Sequence, residues 1–233
     1  MGQDGQSVEV RCACFVDRQV NDARDCLGER TMEICNLTDL RARYAEPSEI
    51  ALKKELGHID RHARDFIGRS PFAVISTADA DGWPDASPRG DAPGFVSVVD
   101  EHCLHLPDRP GNNRLDSFQN LIGNPRIALL FLVPGRLETL RVNGTARLLT
   151  EPELLARHAV RGKPARAIVE ITAKSVYFQC GKAVIRSGLW QKEKWPSLEG
   201  LAPFAEAISD QIKGLDKATS EARLEKAYRE TLY

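Results

Sequence analysis

Apolar and polar positions fall into two rhythms along this chain. Between residues 48 and 68, Leu52, Leu56, Ile59, Ala63 and Phe66 recur at spacings of four and three. That is one face of a helix, and it predicts a single amphipathic helix opened by Pro47-Ser48 and ended by Gly68 and Ser70-Pro71. A short helix is expected upstream, capped by Thr38 and running to about residue 44.

From residue 72 the rhythm changes to strands. FAVIST (72–77) meets the hairpin signal DADG (79–82), and a return strand is expected over about 84–89. GFVSVVD (94–100) and HCLHLP (102–107) predict a second hairpin around Asp100-Glu101. A helix is expected from 113 to about 123, stopped by Asn124-Pro125. IALLFLV (127–133) reads as a fully buried strand, in the protein's core or in a dimer core. A long strand is expected over 138–149 with an interruption at Asn143-Gly144, then a short helix from Pro152 to about 160, then a last strand over 165–180. A basic, aromatic stretch (182–195) precedes a helix around Phe204, Ile208 and Ile212 and a charged tail with Leu224, Tyr228 and Leu232. Hairpin-linked antiparallel strands with few crossover helices point to a closed or nearly closed barrel. The expected organisation is a disordered extension over 1–35, a barrel domain with its N-terminal helices over 36–196, and a helical extension over 197–233.

Composition narrows the function classes. The formal net charge is −1, so no global imbalance points to nucleic acid or an anionic membrane as a partner. No apolar run approaches the roughly 20 residues of a membrane span. The first ten residues have no basic start followed by an apolar block, so no secretory leader is expected and the protein is placed in the cytoplasm. Of the six cysteines, Cys12, Cys14, Cys26 and Cys35 are spaced C-x-C-x11-C-x8-C, without a C-x-x-C pair. No metal is expected there. His58 and His62 share a helix face without the glutamate of H-E-x-x-H. Cys103 and His105 share a strand face, but two ligands do not make a structural zinc site, and Cys103 is assigned to the core. Glu170 and Lys174 are expected on a solvated face.

The chemistry concentrates in two loops. In LPDRPGNNRLDS (106–117), Pro110-Gly111 makes a turn, and Asn112 or Asn113 stands where a helix N-cap would. Arg109 and Arg114 bracket that helix start, whose free N–H groups and positive dipole end attract anions. Arginine forks pair bidentately with phosphate. The alternative is that Arg109 and Arg114 pair with Asp108 and Asp116 on a solvated loop. In SPRGDAPGFV (87–96), Arg89 and Asp91 stand among Ser87, Gly90 and Gly94, whose glycines let backbone N–H groups approach a ligand. Neighbouring hairpins would bring the two loops together.

The ordered blocks SPRGD (87–91), PDRPGNNRLD (107–116), NPR (124–126), ETLRVNG (138–144) and RSGLW (186–190) resemble the FMN-binding split-barrel superfamily, whose best-known member is pyridoxamine 5′-phosphate oxidase, and most of all an FMN-dependent branch of that class. The resemblance covers roughly residues 36 to 196. It implies a mainly β protein with flanking helices, a six-stranded antiparallel split β-barrel, and a homodimer with FMN in clefts between the subunits. Ser87 and Arg89 fall where the oxidase carries its strand phosphate arginine, with Gly90 and Asp91 beside them. Asn113 and Arg114 fall at its Ser-Arg-Lys loop cluster, with Leu115 where that cluster has lysine. Thr139 lies near the position of a glutamine that faces the flavin. Lys182, Arg186 and Trp190 occupy the region of the oxidase's C-terminal substrate motif, and the resemblance implies that they come from the second subunit to close over the ring.

The resemblance also has departures. The lysine that follows the oxidase's strand arginine has no counterpart near Ala92-Pro93, and its C-terminal arginine and histidine are missing. Oxidation of pyridoxamine phosphate is therefore not expected. The expected function is FMN-dependent redox chemistry on a small molecule, with NADH or NADPH as candidate electron donors and Arg186 or Lys182 as candidate cations at the flavin ring. The alternatives are an FMN store, carrier or sensor without turnover, or, as in relatives of this fold, a binder of deazaflavin F420 or haem. No catalytic side chain is assigned, since the reaction would belong mostly to the flavin.

Overall fold

The computed structural model describes residues 33–233. The extension expected over 1–35, with Cys12, Cys14 and Cys26, lies outside the described residues except for its last three. The chain divides into two compact units at the Ser48–Glu49 junction. In the first, α1 (Leu37–Arg43) starts at Asn36 rather than Thr38. The Asn36 side chain accepts from the Asp39 N–H, the usual role of an N-cap.

In the second unit, the single helix expected over 48–68 is two helices, α2 (Glu49–Lys53) and α3 (Arg61–Ile67). Gly57 disfavours helix between them. Leu56 leaves the helical path to bond Val176 in both directions, at 3.0 and 2.8 Å. Asp60 then restarts the helix by accepting from the Ala63 N–H. The apolar stripe survives in part: Ile59, Ala63, Phe66 and Ile67 are buried, while Leu52 is exposed.

Seven antiparallel strands follow: β1 (Phe72–Ala78), β2 (Pro84–Gly90), β3 (Ser97–Val98), β4 (Cys103–Pro107), β5 (Arg126–Leu132), β6 (Thr139–Leu149) and β7 (Ile168–Gln179). They form one sheet in the order β2-β1-β5-β6-β7-β4-β3. The sheet is open, with β2 and β3 at its ends, and it has seven strands rather than six. β3 keeps only Ser97 and Val98 of the strand expected over 94–100, and Gly94, in the left-handed region, lies in the loop before it. α4 (Asp116–Gly123) packs on β1, β2 and β6, and α5 (Pro152–Arg157) links β6 to β7. α6 (Lys182–Ser187), a 3-10 turn (Lys192–Lys194), α7 (Phe204–Gln211) and α8 (Lys217–Glu230) finish the chain.

The core lies on one face of the sheet. Ala73 and Ile75 of β1, Ile127, Leu129 and Phe131 of β5, Leu140 and Val142 of β6, and Leu104 and Leu106 of β4 close against α3 and α4. Within one chain β5 is buried on one face only. Its residues alternate, and Leu130 and Leu132 lie half-exposed beside Val74 and the exposed Phe72. β6 runs unbroken through Asn143-Gly144, where a β-bulge absorbs the irregularity. Gly144 is required there, because a Cβ would overlap the Thr172 carbonyl.

Candidate functional site

The edge strand β2 turns Asp85, Ser87 and Arg89 to one face by simple alternation. α4 lies over that face and is tied to it. Ser117 Oγ donates to Asp85 Oδ2 at 2.9 Å, and Asn120 Nδ2 donates to Thr77 Oγ1 at 3.0 Å. Phe118 thereby presents its ring to Arg89, whose guanidinium carbon sits 5.7 Å from the ring centre. Arg89 also pairs loosely with Asp108, at 3.7 Å. Its Nε is buried with no hydrogen-bond partner among the described residues. Burial pushes the Asp108 carboxyl above the ordinary carboxylate range, against the pull of Arg89, Arg166 and Arg109.

The loop into α4 is built from side-chain turns. Asn112 Oδ1 accepts from the Arg114 N–H at 3.0 Å, and Arg166 Nη1 donates to Asn113 Oδ1 at 3.1 Å. Asn113 and Leu115 both have positive φ, 57° and 58°. A bulky residue seldom adopts that conformation, and such outliers gather at functional sites. α4 consequently begins at Asp116, not at 113. Its cap is Leu115, which offers no side-chain hydrogen bond.

The structure brings the two loops together. Ser87, Arg89, Arg109, Asn113, Arg114 and Leu115 all line one cavity of about 220 Å³. Gly90 lines an adjoining cavity of about 390 Å³ that shares Ser87, Arg89 and Arg109. Arg114 reaches Asp116 Oδ2 at 2.8 Å and is largely exposed, as in the alternative of a solvated pair.

Arg109 does otherwise. Its Nε donates to Asp91 Oδ2 at 2.9 Å and its Nη1 to the His158 carbonyl at 2.9 Å. Asp91 Oδ1 accepts the Tyr233 hydroxyl at 2.9 Å. Arg109 and Asp91, both expected to face a ligand, thus brace each other and anchor the C-terminal residue. Burial works to raise the Asp91 carboxyl, but the Ala92 N–H, Arg109 and Tyr233 outweigh it and hold it below the ordinary range.

Thr139, Lys182, Arg186 and Trp190 do not join this cavity. Thr139 starts β6 opposite Gln179, three strands from β2, about 14 Å at ordinary strand spacing. Lys182 and Arg186 are exposed on α6 and make no ion pair among the described residues. Trp190 Nε1 donates to the Arg136 carbonyl at 2.7 Å.

Several contacts around these elements have no local signal in the sequence. Phe118 and Asp108 are ring and counter-ion to Arg89, and Arg166 holds Asn113. Glu170, expected on a solvated face, is half-buried between Arg147 and His105. Cys103, expected in the core, faces away from it, because Leu104 and Leu106 take the core side of β4.

Comparison with known proteins gives a family. No curated protein sequence matches the chain. HupZ of Group A Streptococcus shares 22% identity over 52% of this chain and 94% of its own, with a TM-score of 0.44. A candidate pyridoxamine 5′-phosphate oxidase from Lactobacillus delbrueckii shares 20% identity over 53% of this chain and 98% of its own, also with a TM-score of 0.44. An F420 reductase shares 19% identity over 50% of this chain and 94% of its own, with a TM-score of 0.36. The family model described as pyridoxamine 5′-phosphate oxidase matches residues 59–180, more than half of the sequence and the whole span from α3 to the end of β7. The chain belongs to the pyridoxamine 5′-phosphate oxidase family.

Proposed function

We propose that this protein is a homodimeric flavoprotein that binds FMN by its phosphate at the β2–α4 cavity and serves redox chemistry on a small molecule. The observation that carries this reading is Arg89. A buried guanidinium Nε without an acceptor costs about 1–3 kcal/mol. A phosphate supplies the missing acceptor, beside Ser87 and Arg114, which line the same cavity. Asp108 lies 3.7 Å from Arg89 Nη1 and Asp116 lies 2.8 Å from Arg114 Nε, so phosphate would compete with a carboxylate for each arginine.

Bound FMN would supply the electron transfer. The chain's own residues would do the rest. Arg89, held beside Phe118, would fix the phosphate; Arg114 would swing from Asp116 onto it; Ser87 would donate its hydroxyl. The half-exposed apolar strip of Phe72, Val74, Leu130 and Leu132 supports a second copy packing on this sheet face. That copy would bring Thr139, Lys182, Arg186 and Trp190 toward the cavity of the first, where a cation would stabilise negative charge on the reduced ring. The missing oxidase substrate motif keeps the substrate apart from pyridoxamine phosphate.

The test is the visible absorption spectrum of the purified protein, with the released ligand identified by mass. A flavin spectrum and the mass of FMN support the reading, and anaerobic addition of NADH or NADPH then tests each as donor. A colourless protein that also fails to bind added FMN overturns it. A released ligand with the mass of F420 or haem moves the site to that cofactor.

A further inference from the structure

β4 and β7 pair His105 with Glu170 and Cys103 with Thr172, which gathers Cys103, His105 and Glu170 on the sheet face away from the main core. The ligand atoms of these three residues all lie within 4.8 Å of one another. His105 is buried, and its Nε2 sits 3.2 Å from Glu170 Oε2. The other ring nitrogen, Nδ1, lies 3.4 Å from His158 Nε2. Arg147 takes the second Glu170 oxygen at 2.7 Å, so the carboxylate is oriented and one oxygen is left for His105.

We infer that Cys103, His105 and Glu170 form a binding site for a zinc-class divalent ion. A lone-pair nitrogen and a carboxylate oxygen 3.2 Å apart need a cation between them, either a proton or a metal ion. Two ligands at about 2.0–2.1 Å on a tetrahedral ion are themselves about 3.3 Å apart, so this pair already has the spacing of a metal's ligands. The sulfur completes the set by a side-chain movement of about 1 Å toward the Zn–S distance.

The donors select the ion. Thiolate, imidazole and one carboxylate suit zinc and its neighbours rather than magnesium or calcium, which take oxygen ligands. Three protein ligands leave a fourth position for water. The outer partners are in place as well: His158 can accept the proton of His105 Nδ1, which frees Nε2 for the metal, and Arg147 steadies Glu170. Binding releases the Cys103 thiol proton to solvent. The site is linked to the β2–α4 cavity through His158, whose carbonyl accepts from Arg109.

The experiment is titration of the chelator-treated full chain with Co2+ alone, read by absorption, in the wild type and in Cys103→Ser and Glu170→Gln. The proposal expects one tightly bound Co2+ with a thiolate-to-cobalt charge-transfer band. It expects the band to vanish in Cys103→Ser, and affinity to fall about tenfold or more in Glu170→Gln. Far-ultraviolet circular dichroism of each variant shows that the fold is kept; if Cys103→Ser does not fold, Cys103→Ala is read in its place. A wild type without a thiolate band overturns the site. So does a band that persists unchanged in the Cys103 variant, which would put the metal on other cysteines such as Cys35 or Cys180.

Discussion

Arg89 lies over the ring of Phe118, 5.7 Å from its centre, and keeps a buried Nε that no group among the described residues accepts from. The ring and Asp108 hold the guanidinium beside the cavity before any ligand arrives, which removes part of the ordering cost of binding. Arg89→Met keeps much of the stem's packing and deletes the charge. FMN affinity, followed by quenching of flavin fluorescence, should fall about 10- to 100-fold, the weight of a charge-assisted hydrogen bond of about 1.5–3 kcal/mol. Thermal stability should hold or rise, because the unpartnered donor is gone. Unchanged flavin affinity would remove Arg89 from the site.

Arg114 and Asp116 form an exposed pair, and the proposed phosphate competes with that carboxylate for the same guanidinium. The two variants should therefore move in opposite directions. Arg114→Ala should weaken FMN binding roughly tenfold or more. Asp116→Asn should tighten it severalfold, chiefly at low ionic strength where exposed charges are least screened. If Asp116→Asn weakens binding instead, the carboxylate is orienting Arg114 for the ligand rather than opposing it.

Much of this site can be read from the chain, and the part that cannot has a physical cause. Ser87 and Arg89 stand out in the sequence through the SPRGD block, and alternation along β2 is what turns both into the cavity. Arg114 was recoverable because the turn residues before a helix start are local signals. Arg109 was assigned to phosphate because its partners, Asp91 and the His158 carbonyl, stand 18 and 49 residues away and no local pattern announces them. The same holds for Glu170, which only the β4–β7 pairing carries to His105, 65 residues distant. The split of the expected long helix was half visible: Gly57 is the signal, but the exchange between Leu56 and Val176 that makes the break favourable is a contact across 120 residues of chain. Leu115 in the left-handed region carries no signal at all, since leucine is a poor choice for it.

Asp91 joins the two loops to the C-terminus through Arg109 and Tyr233. Its carboxyl is held below the ordinary value of 3.8. A carboxyl with a lowered folded-state value adds stability that is fully present above the unfolded value and lost as pH falls through the folded one. The melting temperature should therefore drop on acidification below about pH 4, partly through this group. Asp91→Asn should lower the melting temperature by a few degrees at neutral pH and flatten the acid limb of the profile. Parallel profiles for the two proteins would mean that the contact adds nothing to folding.

The proposed flavin site is divided between two chains. Within one chain, Arg89 lines the β2–α4 cavity while Trp190 is fastened to the Arg136 carbonyl, just before the start of β6 and three strands from β2. If each flavin is held by Arg89 of one copy and covered by Trp190 of the other, Arg89→Met and Trp190→Ala are each defective at both sites of their own dimer. Mixed by unfolding and refolding together, they form heterodimers in which one site carries both defects and the other carries neither. With random pairing, half the dimers are mixed and about a quarter of all sites regain the wild-type set. Flavin titration and reduction kinetics of the mixture should then resolve a fraction of about that size with wild-type affinity and rate. A site contained in one chain would give only the sum of the two defective proteins, whatever the mixing ratio. Light scattering checks the premise independently: a Leu130→Glu change on the half-exposed strip should reduce the particle to the 25.8 kDa of one chain and take flavin binding with it.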